Sequence, residues 1–171
     1  MSKKIAIILG SSRGNGDTKQ LTDIVKDHVN ADVFDLNDYD FSYYDYEHRN
    51  RHDDFFPLVS KLIDNYDVFV FATPVYWYTM SAVMKTFLDR FSDLIRIHKD
   101  TGRKLRGMQM ALISCSPDIN PIEEFGKPFE RSADYLGMTF LGHAHGCVDS
   151  TGVPQEVQED LRRFAETTLS K

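Results

Sequence analysis

Apolar and polar positions follow two different periods along this chain, and the switches between them set the order of elements. Residues 3–9 contain Ile5, Ala6, Ile7, Ile8 and Leu9 without interruption, the pattern of a strand buried on both faces. Residues 18–29 place Leu21, Ile24, Val25 and Val29 at helical spacing. A short strand over 32–36 comes next, then a helix over 55–66 with Phe55, Leu58, Val59, Leu62 and Ile63 on one stripe. A second fully apolar strand covers 68–72. A helix over 81–94 follows, turning Val83, Met84, Phe87, Leu88, Phe91 and Leu94 inward. Beyond it lie a strand over 108–115, a helix over 122–136, a strand within 138–148, and a last helix running from Pro154 to about residue 169.

Strict alternation of strand and helix predicts an α/β fold, a parallel sheet with helices on both faces. Right-handed crossovers leave few topologies, and the expected one is a five-stranded sheet in the order 2-1-3-4-5. At 171 residues the chain suits one domain, residues 1–171, with a sizeable core. One segment breaks the rhythm. Residues 37–54 are polar yet hold Tyr39, Phe41, Tyr43, Tyr44 and Tyr46, and they exceed the usual connection of about 2–6 residues. Such an insertion serves as a lid or a subunit contact, or else is a partly ordered surface loop.

The first strand ends in Gly10-Ser-Ser-Arg-Gly-Asn-Gly-Asp-Thr18, just before a helix. Backbone N–H groups and the positive end of the helix dipole converge there, as an anion requires. Several anion loops do not match. A P-loop needs Gly-Lys before Ser or Thr, where this chain has Gly16-Asp17-Thr18, and the dinucleotide fingerprint needs a Gly where Lys19 stands. A low-molecular-weight phosphatase would need a Cys in this loop. A response regulator would need an acidic pair near Gly10. What is present is the hydroxyls of Ser11, Ser12 and Thr18, the Asn15 amide and the Arg13 cation. That set suits a terminal phosphate monoester.

The loop after the third strand, Thr73-Pro-Val-Tyr-Trp-Tyr78, opens on the same crevice and holds the only Trp of the chain. Its aromatics suit a flat heterocycle, or else cap the following helix. Beside a phosphate cradle, a phosphorylated planar ring is the better reading.

Composition narrows the choice further. With 20 basic and 26 acidic side chains the net charge is −6, which argues against a nucleic-acid partner. No apolar run is long enough for a bilayer, so no membrane partner is expected. The first residues run straight into the first strand, which is unlike a signal peptide. Two cysteines, Cys115 and Cys147, make no disulfide framework. A reducing cytoplasm is the expected location.

With the motif Asp67-Val-Phe-Val-Phe-Ala-Thr-Pro-Val-Tyr-Trp-Tyr-Thr-Met-Ser-Ala-Val-Met-Lys-Thr-Phe-Leu-Asp-Arg90, the first loop resembles the flavodoxin-like NAD(P)H-dependent FMN reductase family. The similarity is to its iron–sulfur flavoprotein-like branch, without the cluster cysteines, since residues 43–52 contain none. The resemblance implies that Ser11, Arg13, Asn15 and Thr18, with backbone from Ser12 through Gly16 to Asp17, hold the phosphate of FMN. It implies that Pro74, Val75, Tyr76 and Trp77 border the isoalloxazine, and that Ser114, Cys115 and Ser116 form a third flavin-side loop. Relatives commonly carry Asn in place of Asp17. A carboxylate there opposes the phosphate unless its side chain turns away to cap the helix.

By the same resemblance NADH or NADPH is the co-substrate and a quinone, flavin, nitro or azo compound the small-molecule acceptor, in a ping-pong cycle. The cofactor carries the chemistry, so no side chain is nominated as catalytic. The alternative is a flavodoxin-like FMN electron carrier acting on protein partners. A homodimer or higher homo-oligomer is expected by analogy. Two basic clusters, 48–52 and 96–106, could meet a dinucleotide's phosphates or be solvated faces. His143, His145 and Cys147 stand at period two and could share one strand face. Packing rather than a metal site is the expectation for them, and the two cysteines read as buried structural thiols.

Overall fold

The computed structural model describes residues 3–170. Five parallel strands form its centre: β1 (Ile5–Leu9), β2 (Ala31–Asp35), β3 (Val68–Tyr76), β5 (Gln109–Cys115) and β6 (Thr139–Gly146). A two-residue strand, β4 (Thr79–Met80), folds back antiparallel on the end of β3. The sheet order is β2-β1-β3-β5-β6. With β4 set aside, this is the expected 2-1-3-4-5 order. Helices α1 (Asp17–His28), α2 (Phe55–Asn65), α3 (Ala82–Asp89), α4 (Phe91–Arg96), α5 (Lys99–Arg103), α6 (Lys127–Leu136) and α7 (Gln155–Phe164) lie against it.

The period of two along each strand divides the core into two layers. Ala6, Ile8, Phe69, Phe71, Met110 and Leu112 point to one face, where α2, α3, α4 and α6 add Phe55, Phe87, Phe91 and Phe129. Ile5, Ile7, Leu9, Val68, Val70, Ala111 and Ile113 point to the other, covered by Leu21 and Val25 of α1 and by Val157 and Leu161 of α7. The first layer is aromatic, with Phe55, Phe71, Phe87 and Phe91 meeting edge to face or tilted. The second is aliphatic apart from Phe164, Cys115 and Cys147.

Three elements differ from expectation. The helix foreseen over 81–94 breaks at Arg90, whose side chain is 1% exposed. Its guanidinium bonds both carboxylate oxygens of Asp53, Asp93 Oδ2 at 2.8 Å and the Ser42 carbonyl at 3.0 Å, and it lies 4.7 Å from the Phe55 ring. The break turns the chain so that this cation can reach the insertion. Lys99–Arg103 adds a short helix inside the expected basic cluster. The helix foreseen from residue 122 starts at Lys127, after a run of turns, with Pro128 in its first turn.

The insertion over 37–54 is therefore an ordered clasp. Phe41 packs on Phe55 and Phe87, and His48 Nδ1 lies 3.0 Å from Asp93. Tyr43 and Tyr46 remain exposed.

Candidate functional site

The sheet order reverses between β1 and β3, so a crevice opens beyond their carboxyl ends. Three loops meet there because the strands are in register: Leu9 lies beside Ala72, Thr73 beside Ser114, and Pro74 beside Cys115. The Gly10 N–H donates to the Ala72 carbonyl at 2.8 Å, and Ser12 Oγ lies 3.0 Å from Tyr76 Oη. Residues 10–18 and 73–78 are thus brought together as their sequence suggested.

The first loop is built with donors facing outward. Ser12, Arg13, Asn15 and Asp17 are exposed, whereas Ser11, Gly16 and Thr18 are buried. Ser11 serves the loop itself: its Oγ accepts from the Arg13 N–H at 3.4 Å and its carbonyl from Asn37 Nδ2 at 2.7 Å. Gly16 is the N-cap of α1 and has no side chain to offer, so no side chain caps the first turn. Of the two roles open to Asp17, capping the helix is not the one it takes, because it occupies the first helical position. The Gly16 and Lys19 N–H groups bond backbone carbonyls, which leaves the Asp17 and Thr18 N–H groups of the first turn without an intrahelical partner, beside a dipole that favours an anion. Gly10 must lack a side chain, since a Cβ there would lie 2.8 Å from Met84 Cε and 2.9 Å from Met84 Cβ.

The second loop is a two-residue hairpin turn. Tyr76 pairs with Thr79, leaving Trp77 at φ 49° and Tyr78 at φ 66°. Such turns normally take Asn-Gly, and bulky residues in left-handed backbone cost of order 1–3 kcal/mol each. The strained turn stands the aromatics into solvent: Trp77 is 92% exposed and Tyr78 77%. Pro74 is buried and Val75 half-buried at its base.

Ser81 is the positioning residue that sequence reasoning missed. It is 1% exposed and caps α3, its Oγ accepting from the Met84 N–H at 3.2 Å. The same hydroxyl donates to the Gly10 carbonyl at 2.6 Å, and the Ser81 N–H donates to Thr73 Oγ1 at 3.1 Å. One side chain therefore ties both loops to one helix. A Ser just before an apolar helical stripe was the available signal.

The third loop departs from expectation. Ser114 is fully buried and Cys115 is 5% exposed. The Cys115 thiol belongs to the aliphatic layer under α1. Burial first, then the charges of Asp17 and Cys147, push its pKa up to about 12, so it remains a neutral thiol. Of the three expected contacts only Ser116 is partly open; Ser114 and Cys115 can offer no more than backbone. His143 and His145 turn to Ser114, while Cys147 lies in the opposite layer. The three do not share a face.

Three of the seven lysines and arginines in the basic clusters are ion-paired. Arg49 pairs with Asp45, Arg103 with Asp100 and Lys104 with Asp64. Residues 99–107 lead into the amino end of β5, away from the crevice, so this cluster is no part of the site.

The donors fit a phosphate monoester, and the exposed aromatic turn beside them fits a flat ring. Comparison with known proteins agrees. Residues 3–150 match the model of the family described as NADPH-dependent FMN reductase. YwqN of Bacillus subtilis (strain 168), by name an NAD(P)H-dependent FMN-containing oxidoreductase, is 28% identical over 155 residues, 84% of each chain. The solved structure of the Trp repressor binding protein from Bacillus subtilis is 25% identical with a TM-score of 0.72, covering 98% of this chain and 99% of that one. A flavodoxin of Streptococcus pneumonia TIGR4 shares the fold, with a TM-score of 0.60 at 20% identity and 97% coverage of both chains. The chain belongs to the NADPH-dependent FMN reductase family.

Proposed function

We infer that the crevice holds FMN with its phosphate on residues 10–18 and its ring against the Pro74–Trp77 side of the hairpin. The protein is an FMN-dependent NAD(P)H oxidoreductase. The observation that supports this placement is the uncapped N-terminus of α1 beneath exposed Ser12, Arg13 and Asn15. When bound, FMN supplies the redox chemistry, accepting two electrons from a nicotinamide and releasing them to an acceptor. The chain contributes position. Arg13 and the first-turn N–H groups balance the phosphate charge. Ser12 bonds the Tyr76 hydroxyl and so fixes one loop against the other. The buried Thr73 and Pro74 keep the hairpin base rigid, and the third loop borders the ring through Ser116 and backbone.

The acceptor we propose is a small flat molecule, a quinone, flavin, nitro or azo compound, stacking on the exposed aromatic turn. A homodimer or higher homo-oligomer fits the exposure of Tyr43 and Tyr46, which a second copy would cover. A cytoplasmic location fits the two unpaired cysteines, and no helix among the described residues is long and apolar enough to cross a membrane.

The test is the absorption spectrum of purified protein, titration of apoprotein with FMN, and oxidation of NADH or NADPH with a quinone. A flavin spectrum with saturable FMN binding and nicotinamide turnover is expected. Absence of FMN affinity overturns the placement. FMN binding without nicotinamide turnover would make the protein an electron carrier.

A further inference from the structure

Ser114, fully buried at the end of β5, meets two imidazoles at once: His143 Nε2 at 2.7 Å and His145 Nδ1 at 2.6 Å. Sheet register brings them together, setting Leu112 beside His143 and Ser114 beside His145 on the aromatic side of the sheet. Phe125 lies against the His143 ring, 5.9 Å between centroids. At the outer end, His145 Nε2 lies 2.9 Å from the Asp118 carbonyl oxygen.

That last contact fixes every proton. A carbonyl only accepts, so His145 Nε2 carries hydrogen and, in the neutral ring, Nδ1 is a bare acceptor. Ser114 therefore donates to His145 Nδ1, and its oxygen accepts from His143 Nε2–H. The chain runs one way, His143 to Ser114 to His145 to Asp118. Ser116 Oγ donates to the same carbonyl at 2.9 Å, and the Ser116 N–H donates to the Gly146 carbonyl at 3.1 Å. The segment 116–120 is thus tied to β6 through His145.

We propose that His145, backed by Ser114 and His143, is a positioning residue that fixes segment 116–120 at the rim of the FMN crevice. The proposal rests on the reading of 114–116 as the third border of that crevice. The charged groups facing His145 are the Asp118 carboxylate on its own loop and, across the groove, Asp160 and Arg163 of α7, which pair with each other.

Two measurements test this. In apoprotein, long-range ¹⁵N correlation spectra should show both rings as Nε2–H tautomers at about pH 8. A His145 ring found as the Nδ1–H tautomer could not donate to the Asp118 carbonyl and would overturn the positioning role. Separately, His145→Asn keeps an acceptor for Ser114 but cannot reach Asp118, whereas His145→Gln reaches Asp118. FMN affinity should fall about five- to tenfold in the Asn variant, the worth of one hydrogen bond, and stay within about twofold in the Gln variant. An Asn variant that binds FMN as tightly as wild type overturns the positioning role. Wild-type protein without FMN affinity would instead overturn the flavin reading, and the tautomer experiment would still decide the direction of the chain.

Discussion

The two outer borders of the crevice use similar side chains to opposite ends. At the β1 border Ser12, Arg13 and Asn15 stand exposed over a helix start whose cap is a glycine. At the β5 border Ser114, Ser116, His143 and His145 satisfy one another and the Asp118 carbonyl. A ligand can be held only by donors that folding has left free, so the first border binds and the second supports. Residue type does not separate them. What separates them is burial: a polar group sealed in the core must find an internal partner, at a cost of about 1–3 kcal/mol if it does not.

The largest expected effect breaks the supporting border with acid. Burial first, then the charge of His145, pulls the pKa of His143 from 6.5 down to about 4. The unfolded chain binds this proton first. Stability from the neutral His143 is therefore complete above about pH 6.5 and lost as pH falls toward 4, amounting to about 3 kcal/mol. His143→Gln keeps a donor toward Ser114 but does not titrate. Urea unfolding at about pH 7 and about pH 4.5 should show a smaller acid loss in this variant than in wild type. Equal losses would remove His143 as the cause.

Ser81 sharpens the comparison from the middle, because it supports the binding border while making no contribution outward. Ser81→Ala leaves the Gly10 carbonyl and the Met84 N–H without their hydroxyl partner. A loss of about 1–2 kcal/mol in stability is expected from the cap and the orphaned carbonyl. FMN affinity should fall with it, since Gly10 begins the phosphate loop. Calorimetry with and without FMN measures both. Loss of stability with unchanged affinity would mean that the loop keeps its shape without this tie.

How much of this was legible in the sequence follows from the range of the forces involved. β1 and β3 were plain because strands buried on both faces must be continuously apolar, and the sheet order followed from alternation and handedness. The break at Arg90 was not. The apolar stripe continues from Phe87 through Phe91 to Leu94, while Asp53 and the Ser42 carbonyl, far away in sequence, join the neighbouring Asp93 in holding Arg90 inward. The Trp77-Tyr78 turn was hidden because neither residue favours left-handed backbone, so no local signal announces it. The first loop was readable since its chemistry is local, lying within nine consecutive residues. The Ser114 chain was not, because it is assembled from β5 and β6 and needs their register. The family resemblance placed Cys115 at the rim, but the period of two turns its thiol under α1, as the reading of a buried structural thiol had it.

Asp17 carries the smallest effect and the finest test. It is exposed at the first position of α1, where a carboxylate favours the helix dipole but opposes a phosphate bound a few ångströms beyond. These two consequences have opposite signs in one substitution. Asp17→Asn should improve FMN affinity by about threefold, the scale of a screened charge at a surface, while slightly lowering the melting temperature of the apoprotein. The affinity gain should shrink as salt is raised, because the repulsion it removes is screened, whereas the gain from a new hydrogen bond would persist. Unchanged affinity at low salt would mean that the carboxylate points away from the anion, toward Cys115, whose raised pKa already registers its charge.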